Sequence, residues 1–344
     1  MISKHSHRKD EHVSLAEKFY SPHHTFEDIK FVHQSLPKYS LADIDLSTTI
    51  GPLKLAVPFY IEAISGGSPR TKDINAQLAT IAQATGLAMA VGSQSVALSD
   101  PDLSDTFKVV RKNNPAGLIF ANIGGNHSAE DAKQAVEMID ADALEIHVNV
   151  AQELIMPEGD RQFHFQKNIQ EIVNAMTVPV IVKEVGFGMS RETIAELLKL
   201  GVRYVNLSGH GGTNFATIEN FRRSDKSMAY LADWGLSTPE SLLESRSYQN
   251  QLTVLASGGV QTPLDIAKCL ALGSSAVGIA GQFLHMVIHE DTPAIIDEIN
   301  GWKQGLKAIM MMTNSKTVSA LQDAALVLSP ELISYQHQRN LETN

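Results

Sequence analysis

Short runs of aliphatic, β-branched and aromatic residues recur along the chain from residue 57 onward, at 59–61, 88–91, 117–121, 144–150, 178–182, 204–207, 253–256 and 276–280. Between them the apolar positions change to helical spacing, at 75–85, 129–139, 165–176 and 193–200, several of these segments opened by Ser, Thr or Asp. The first pattern is that of buried strands and the second that of amphipathic helices with N-caps. Eight strand–helix units predict an α/β fold, a (β/α)8 TIM barrel, with a doubly wound open sheet as the alternative. Residues 1–56 precede the barrel as an N-terminal extension holding a helix and Pro-containing loops, and residues 57–344 make one barrel domain. Within it, 293–341 supplies helices that complete the outer layer. The long polar connection at 220–240 has the length of an active-site lid.

A barrel places its active site on the rim at the C-terminal ends of the strands, so polar and glycine residues should gather just after the apolar runs. They do, in Ser65-Gly66-Gly67, Gly92-Ser93-Gln94, Asn122, Lys183-Glu184, Ser208-Gly209-His210-Gly211-Gly212-Thr213, Ser257-Gly258-Gly259 and Ala280-Gly281. The fourth run is the most telling. Leu144, Ile146, Val148 and Val150 alternate with Glu145, His147 and Asn149 over a predicted strand, and a loop is expected from Gln152 and Glu153. An imidazole and an amide on a polar face that ends in Gln152 and Glu153 suit a ligand and a metal better than they suit bulk water.

Composition narrows the picture without naming a ligand. Of 344 residues, 43% are apolar and 19% charged, as in folded globular proteins. The net charge of −10 disfavours nucleic acid and anionic membrane surfaces, but leaves room for a local basic site that takes an anionic metabolite. No run of about 18 apolar residues is present, and 1–9 lack an apolar segment, so a cytoplasmic protein is expected. The single cysteine, Cys269, sits in an apolar helical run and is expected to be a structural thiol.

Five groups could carry chemistry, each with a plain alternative. Gly258-Gly259 and Ala280-Gly281 follow strands seven and eight, where barrels commonly bind phosphate, although glycines also serve tight turns. Lys183 ends an apolar run, and a buried ammonium needs an anionic partner; a Schiff-base role and a fixed cation are both open. Glu153, Glu158 and Asp160 form either a divalent-cation site or a solvated acidic loop. His147 is a satisfied core histidine or, with Asn149 and Gln152, part of a site. Arg8-Lys9-Asp10-Glu11-His12 is a solvated charge run or a flexible basic arm that closes over a phosphate ligand.

Taken in order, these motifs resemble the type 2 isopentenyl-diphosphate delta-isomerases, FMN-dependent (β/α)8 enzymes, over nearly the whole chain. The resemblance rests on Arg8 to His12, Ile64-Ser65-Gly66-Gly67, Gly92-Ser93-Gln94, Ala121-Asn122-Ile123-Gly124, the strand-four motif with Pro157-Glu158-Gly159-Asp160-Arg161, Val182-Lys183-Glu184-Val185-Gly186 and Gly211-Gly212-Thr213-Asn214-Phe215. It implies that Ala63, Ile64, Ser65, Ser93, Asn122, Lys183, Ser208, Thr213, Gly258, Gly259, Ala280 and Gly281 contact FMN. Arg8 and Lys9 would hold the substrate diphosphate, Gln152 would sit beside its isoprenoid part, and Glu153 would bind Mg2+. His147, Asn149, Gln152 and Lys183 would be the catalytic set. The family interconverts isopentenyl and dimethylallyl diphosphates in isoprenoid biosynthesis, with FMN in its reduced form as acid–base group, NADPH as usual reductant and, commonly, a tetrameric homo-oligomer.

One position departs from the pattern. Where the family has Gly-Gly-hydrophobic-Arg after strand seven, this chain has Gly258-Gly259-Val260-Gln261, which removes a charge from the phosphate site and should weaken FMN retention. Two rival readings remain. An FMN-dependent 2-hydroxy acid oxidase shares the His210-Gly211-Gly212 motif but needs Arg where Thr213 stands. A non-catalytic flavin-binding barrel would leave the strand-four polar set without a purpose.

Overall fold

A computed structural model describes residues 4–21, 25–64 and 66–341. Its eight parallel strands are β1 (Phe59–Ile61), β2 (Met89–Ala90), β3 (Ile119–Gly124), β4 (Ala143–His147), β5 (Val180–Lys183), β6 (Tyr204–Asn206), β7 (Thr253–Ala256) and β8 (Ala276–Ile279). Each pairs with the next, and β8 returns to β1 with Val277 opposite Phe59 and Ile279 opposite Ile61. The sheet is closed, which decides against the doubly wound alternative and leaves the barrel strands no free edge.

Alternation along each strand sorts the core into two bodies. Leu144, Ile146, Val182, Val205, Val254 and Val277 face the helical layer and pack with Leu78, Ile139, Ile169, Ile194 and Ile266. Tyr60, Phe120, Ala143, Ile181 and Leu255 point inward and fill the lower half of the barrel. A hairpin of Thr48–Ile50 and Leu53–Leu55 adds Ile50 and Leu55 to this inner body, plugging the barrel interior with apolar side chains. Only the C-terminal end of the barrel is left for polar chemistry.

Four helices frame that end: α1 (Lys4–Lys18), α2 (Val150–Ile155), α3 (Phe215–Arg222) and α4 (Gly281–His289). The strand expected over 144–150 therefore stops at His147, and Gln152 and Glu153 lie on a helix rather than in a loop. Asn149 makes the break. Its backbone is neither extended nor helical, while its side-chain Nδ2 donates to Glu153 Oε1 at 2.9 Å and its carbonyl accepts the Glu153 N–H. Val150, which completed the apolar alternation in the sequence, is 39% exposed and carries no strand.

Other boundaries shift for equally local reasons. The 293–341 segment is not all helix, because Leu326–Leu328 forms a strand antiparallel to Ile29–Phe31, with Ile29 opposite Leu328. The 220–240 connection contains the end of α3, a turn at Ala229–Leu231 and the start of helix Thr238–Ser245. Among the described residues, none from 220–240 lines the cavity at the barrel mouth. The element over that mouth is α1, which packs against α3 and α4. No described helix is long and apolar enough to cross a membrane.

Candidate active site

The strand ends and the framing helices enclose one cavity of about 440 Å³. Lining it are Arg8 and Lys9 from α1, Ala63 and Ile64 after β1, Ser93 after β2, Asn122 on β3 and His147 on β4. Asn149, Gln152 and Glu153 follow around α2, with Lys183 on β5, Ser208 and Thr213 after β6, Gly258 and Gly259 after β7, and Ala280 and Gly281 at the start of α4. Ser65, expected among the FMN contacts, lies outside the described residues. Every other residue expected to contact FMN, substrate or metal, or to act in catalysis, lines this one cavity.

At the bottom of the cavity is a buried network that the sequence did not disclose. Glu62, one residue past β1, lies 3.3 Å from Lys183 Nζ, accepts from Tyr60 Oη at 3.0 Å and from the Ala63 N–H at 2.7 Å, and also bonds Asn206. Glu145 on β4 accepts from Asn122 Nδ2 at 3.1 Å, and Asn122 Oδ1 meets His147 Nδ1 at 2.8 Å. Two carboxylates and one ammonium share this dry space. Burial would raise Glu62, but the Lys183 charge and the Ala63 N–H outweigh it and hold the carboxyl below its ordinary range. Glu145 is pushed well up, by burial and by the negative charge of Glu62. The geometry gives one close ion pair, Lys183 with Glu62, beside Glu145, whose carboxyl is held well above the ordinary range.

The two readings left open for Lys183 can now be separated. Burial works against its charge, yet Glu62 and Glu145 raise its pKa above the usual lysine value. An amine that stays protonated is a poor nucleophile, so the geometry favours a fixed cation over a Schiff base. His147 is the opposite case. Burial, then the Lys183 and Lys9 charges, lower its pKa to about 3, so a neutral imidazole faces the cavity.

Above this floor, one wall is built of backbone. Gly258 has φ of 97°, and a Cβ there would stand 2.1 Å from the Gly209 carbonyl oxygen; a Cβ on Gly212 would stand 2.8 Å from the Gly259 nitrogen. Loops this close admit only glycine. Beside them α4 begins without a side-chain N-cap, so its first-turn N–H groups lack an internal partner at the cavity wall. Closely approaching backbone and an uncapped helix start fit a phosphate group such as that of FMN. Gln261 also lines this wall, where its backbone N–H caps Asp265 at 3.1 Å and its Nε2 reaches the Ser21 carbonyl at 3.4 Å.

The mouth is tied together through Glu219 of α3, which is fully buried. It lies 3.0 Å from His12 Nε2, accepts from Gln152 Nε2 at 2.9 Å and from Arg222 Nη1 at 2.7 Å. Arg222 also bonds Glu11 of α1 and Glu158. The 8–12 segment is thus part of a helix docked on the cavity and not a solvated charge run. Nothing in the linear spacing of Glu219 or Arg222 signals this role, because both look like ordinary polar positions of an amphipathic helix. Glu153 accepts from neutral donors, Asn149 Nδ2 and the Asp160 N–H at 2.8 Å, so its charge is not neutralised by them. That leaves a carboxylate fit to share a hard cation with a phosphate, whereas Glu158 is engaged by Arg222. Val13, Ala16, Phe19, Phe215 and Ile218 supply an apolar wall to the same cavity.

Residues 127–328 match the FMN-dependent dehydrogenase family, which places the chain among FMN-dependent barrel enzymes, a class that the closed (β/α)8 barrel and the glycine-built wall fit. Solved structures of that class share the fold: a flavocytochrome b2 variant with pyruvate bound has a TM-score of 0.68 at 19% identity, covering 91% of this chain and 79% of that one. A mandelate oxidase variant with an FMN monooxide adduct has 0.63 at 13% identity, covering 93% and 92%. Within the class the chain is much nearer to another group. It is 54% identical over 338 residues to an isopentenyl-diphosphate delta-isomerase of Latilactobacillus sakei, covering 98% of this chain and 97% of the relative. Identity to one of Staphylococcus epidermidis is 48% over 347 residues, covering 99% of each. The chain belongs to the isopentenyl-diphosphate delta-isomerase family.

Proposed function

We propose that the protein interconverts isopentenyl and dimethylallyl diphosphates, with FMN seated on the glycine cradle and Mg2+ on the diphosphate. The observation that carries this reading is the convergence, in one cavity, of a phosphate cradle, a basic helix, an unneutralised carboxylate and an apolar wall. An allylic double-bond shift moves a proton onto one carbon and off another through a cation-like centre. An alkene offers little to grip, so binding energy must come from the diphosphate. When bound, reduced FMN, formed with NADPH as reductant, supplies the acid–base group, and Mg2+ supplies charge neutralisation.

The chain's own residues do the rest. Arg8 and Lys9 take the diphosphate, and Glu153 shares the metal with it. Lys183, kept in place by Glu62, would hold bound FMN and supply a positive charge to it. Neutral His147, oriented by Asn122, donates or accepts a hydrogen bond without adding charge. Gln152, anchored to Glu219, stands beside the isoprenoid, and Asn149 fixes both Gln152 and Glu153 through its amide at 3.3 and 2.9 Å.

The test is isopentenyl diphosphate turnover with reduced FMN and Mg2+. Gln152→Asn and Glu153→Gln are each expected to lower kcat/KM by about 10²-fold or more, the scale of losing one positioned polar group. Unchanged turnover in both would overturn the assignment. Flavin reduction by a 2-hydroxy acid with no isomerase turnover would move the protein to the oxidase reading.

A further inference from the structure

On the flank of α1, away from the diphosphate-binding residues, Glu17 meets two histidines of α4. His285 Nδ1 lies 2.9 Å and His289 Nε2 2.7 Å from the same carboxylate oxygen, Glu17 Oε1. Spacing of four places both rings on one face of the helix, with centroids 4.5 Å apart. Tyr20 stacks on His285 at 4.3 Å and 12°, which fixes the plane of that ring. Among the described residues this is the one group of three such side chains whose ligand atoms all lie within 4.8 Å. None of the three is used by the isomerase reading.

We propose that Glu17, His285 and His289 form a binding site for a borderline transition-metal cation such as Zn2+, which clamps α1 to α4. Two imidazoles from consecutive turns of one helix and a carboxylate from another element make a three-ligand set with a fourth position open to water. Both histidine nitrogens are at hydrogen-bond separations from Glu17 Oε1, and tetrahedral coordination at about 2.0 Å needs edges of about 3.3 Å, a few tenths of an ångström more. His289 is about half-exposed and Glu17 and His285 partly so, which leaves room for that adjustment. A ring whose proton is on the nitrogen away from Glu17 presents a lone pair to the cation, and no redox step or co-reactant is involved. Imidazole ligands select against Mg2+, so this site would stay distinct from any magnesium on the diphosphate.

Its position gives it a consequence. The same helix α1 bears Arg8 and Lys9, and α4 begins at the phosphate cradle, so a cation here would hold the basic helix closed on the cavity.

The decisive experiment is titration of the chelator-treated full-length protein with Co2+, followed by competition with Zn2+, in wild type and His289→Gln. Expected in wild type is one equivalent with the intense visible absorption of a tetrahedral Co2+ site, displaced by Zn2+. In His289→Gln the affinity should fall about 100-fold or more, beyond the 10–100-fold typical of losing an outer hydrogen-bond partner. Trypsin cleavage after Lys18 should slow with Zn2+ in wild type and not in the variant. Glu17→Gln provides a second variant with the same expected losses. A weak, octahedral Co2+ spectrum in wild type, or equal affinity in wild type and both variants, would overturn the proposal. Isomerase turnover of His289→Gln without added Zn2+ is expected to equal wild type, which keeps this outcome separate from that of the activity assay.

Discussion

Lys183 is buried and charged at once, and the reason lies in two glutamates that surround it unequally. The Lys183 charge and the Ala63 N–H hold Glu62 below the ordinary carboxyl range against its burial, whereas burial, and then the charge of Glu62, push Glu145 well above it. Glu62→Gln should therefore destabilise the fold by about 2–4 kcal/mol, below the full cost of an orphaned buried charge because Glu145 can ionise in its place. Urea denaturation checks this, and a midpoint equal to wild type would show that the pair does not hold the lysine. At the opposite wall, burial and the neighbouring Arg8 lower Lys9 from the usual 10.5 to about 8. A lowered lysine pKa means charge below that pH and neutrality above it, so diphosphate capture should weaken as pH rises through about 8. The decline belongs to the free enzyme and is expected in kcat/KM rather than kcat. Lys9→Arg should remove it, because arginine stays charged throughout. The sequence revealed Lys183, since an ammonium at the end of an apolar run demands an explanation. It concealed Glu145, since a glutamate alternating with apolar residues ordinarily faces water, and only closure of the barrel turns that face inward; Glu62, directly after Phe59-Tyr60-Ile61, carries the same signal as Lys183.

At the scale of elements, the cradle depends on loops from neighbouring strands approaching more closely than side chains permit. Gly258→Ala would force a Cβ against the Gly209 carbonyl at a backbone angle that L-residues rarely adopt. The purified variant should be colourless or nearly so, with FMN affinity down by about 10²-fold or more by fluorescence titration. Gln261→Arg should act in the other direction, restoring a guanidinium at the wall and tightening FMN by about tenfold; equal dissociation constants would show that the missing charge is compensated. Most elements were legible, because strands buried on both faces and helices buried on one leave different periods in the sequence. The end of β4 was not. Val148 and Val150 continue the period of two past His147, and only the Asn149 side chain, bonding within the next turn, ends the strand.

For the whole molecule, the long-range pairing of Ile29–Phe31 with Leu326–Leu328 was beyond sequence reading, since three-residue strands nearly 300 positions apart share no local signal. Its energetic partners are Phe26 and Ile29, both buried in the main core with Leu332 and Leu341. Deleting 326–341 should loosen α1 and raise the KM for isopentenyl diphosphate about tenfold with a smaller change in kcat, as expected for lost binding rather than lost chemistry. Equal KM would show that α1 is held in place without the 326–341 segment. The pairing also orders events in time. During synthesis the helix that docks on the cavity is made well before the strand that pairs with the segment behind it. Every barrel strand, the last of them ending at Ile279, is made before Leu326–Leu328, so the barrel can close around its apolar plug before Ile29–Phe31 finds its partner strand.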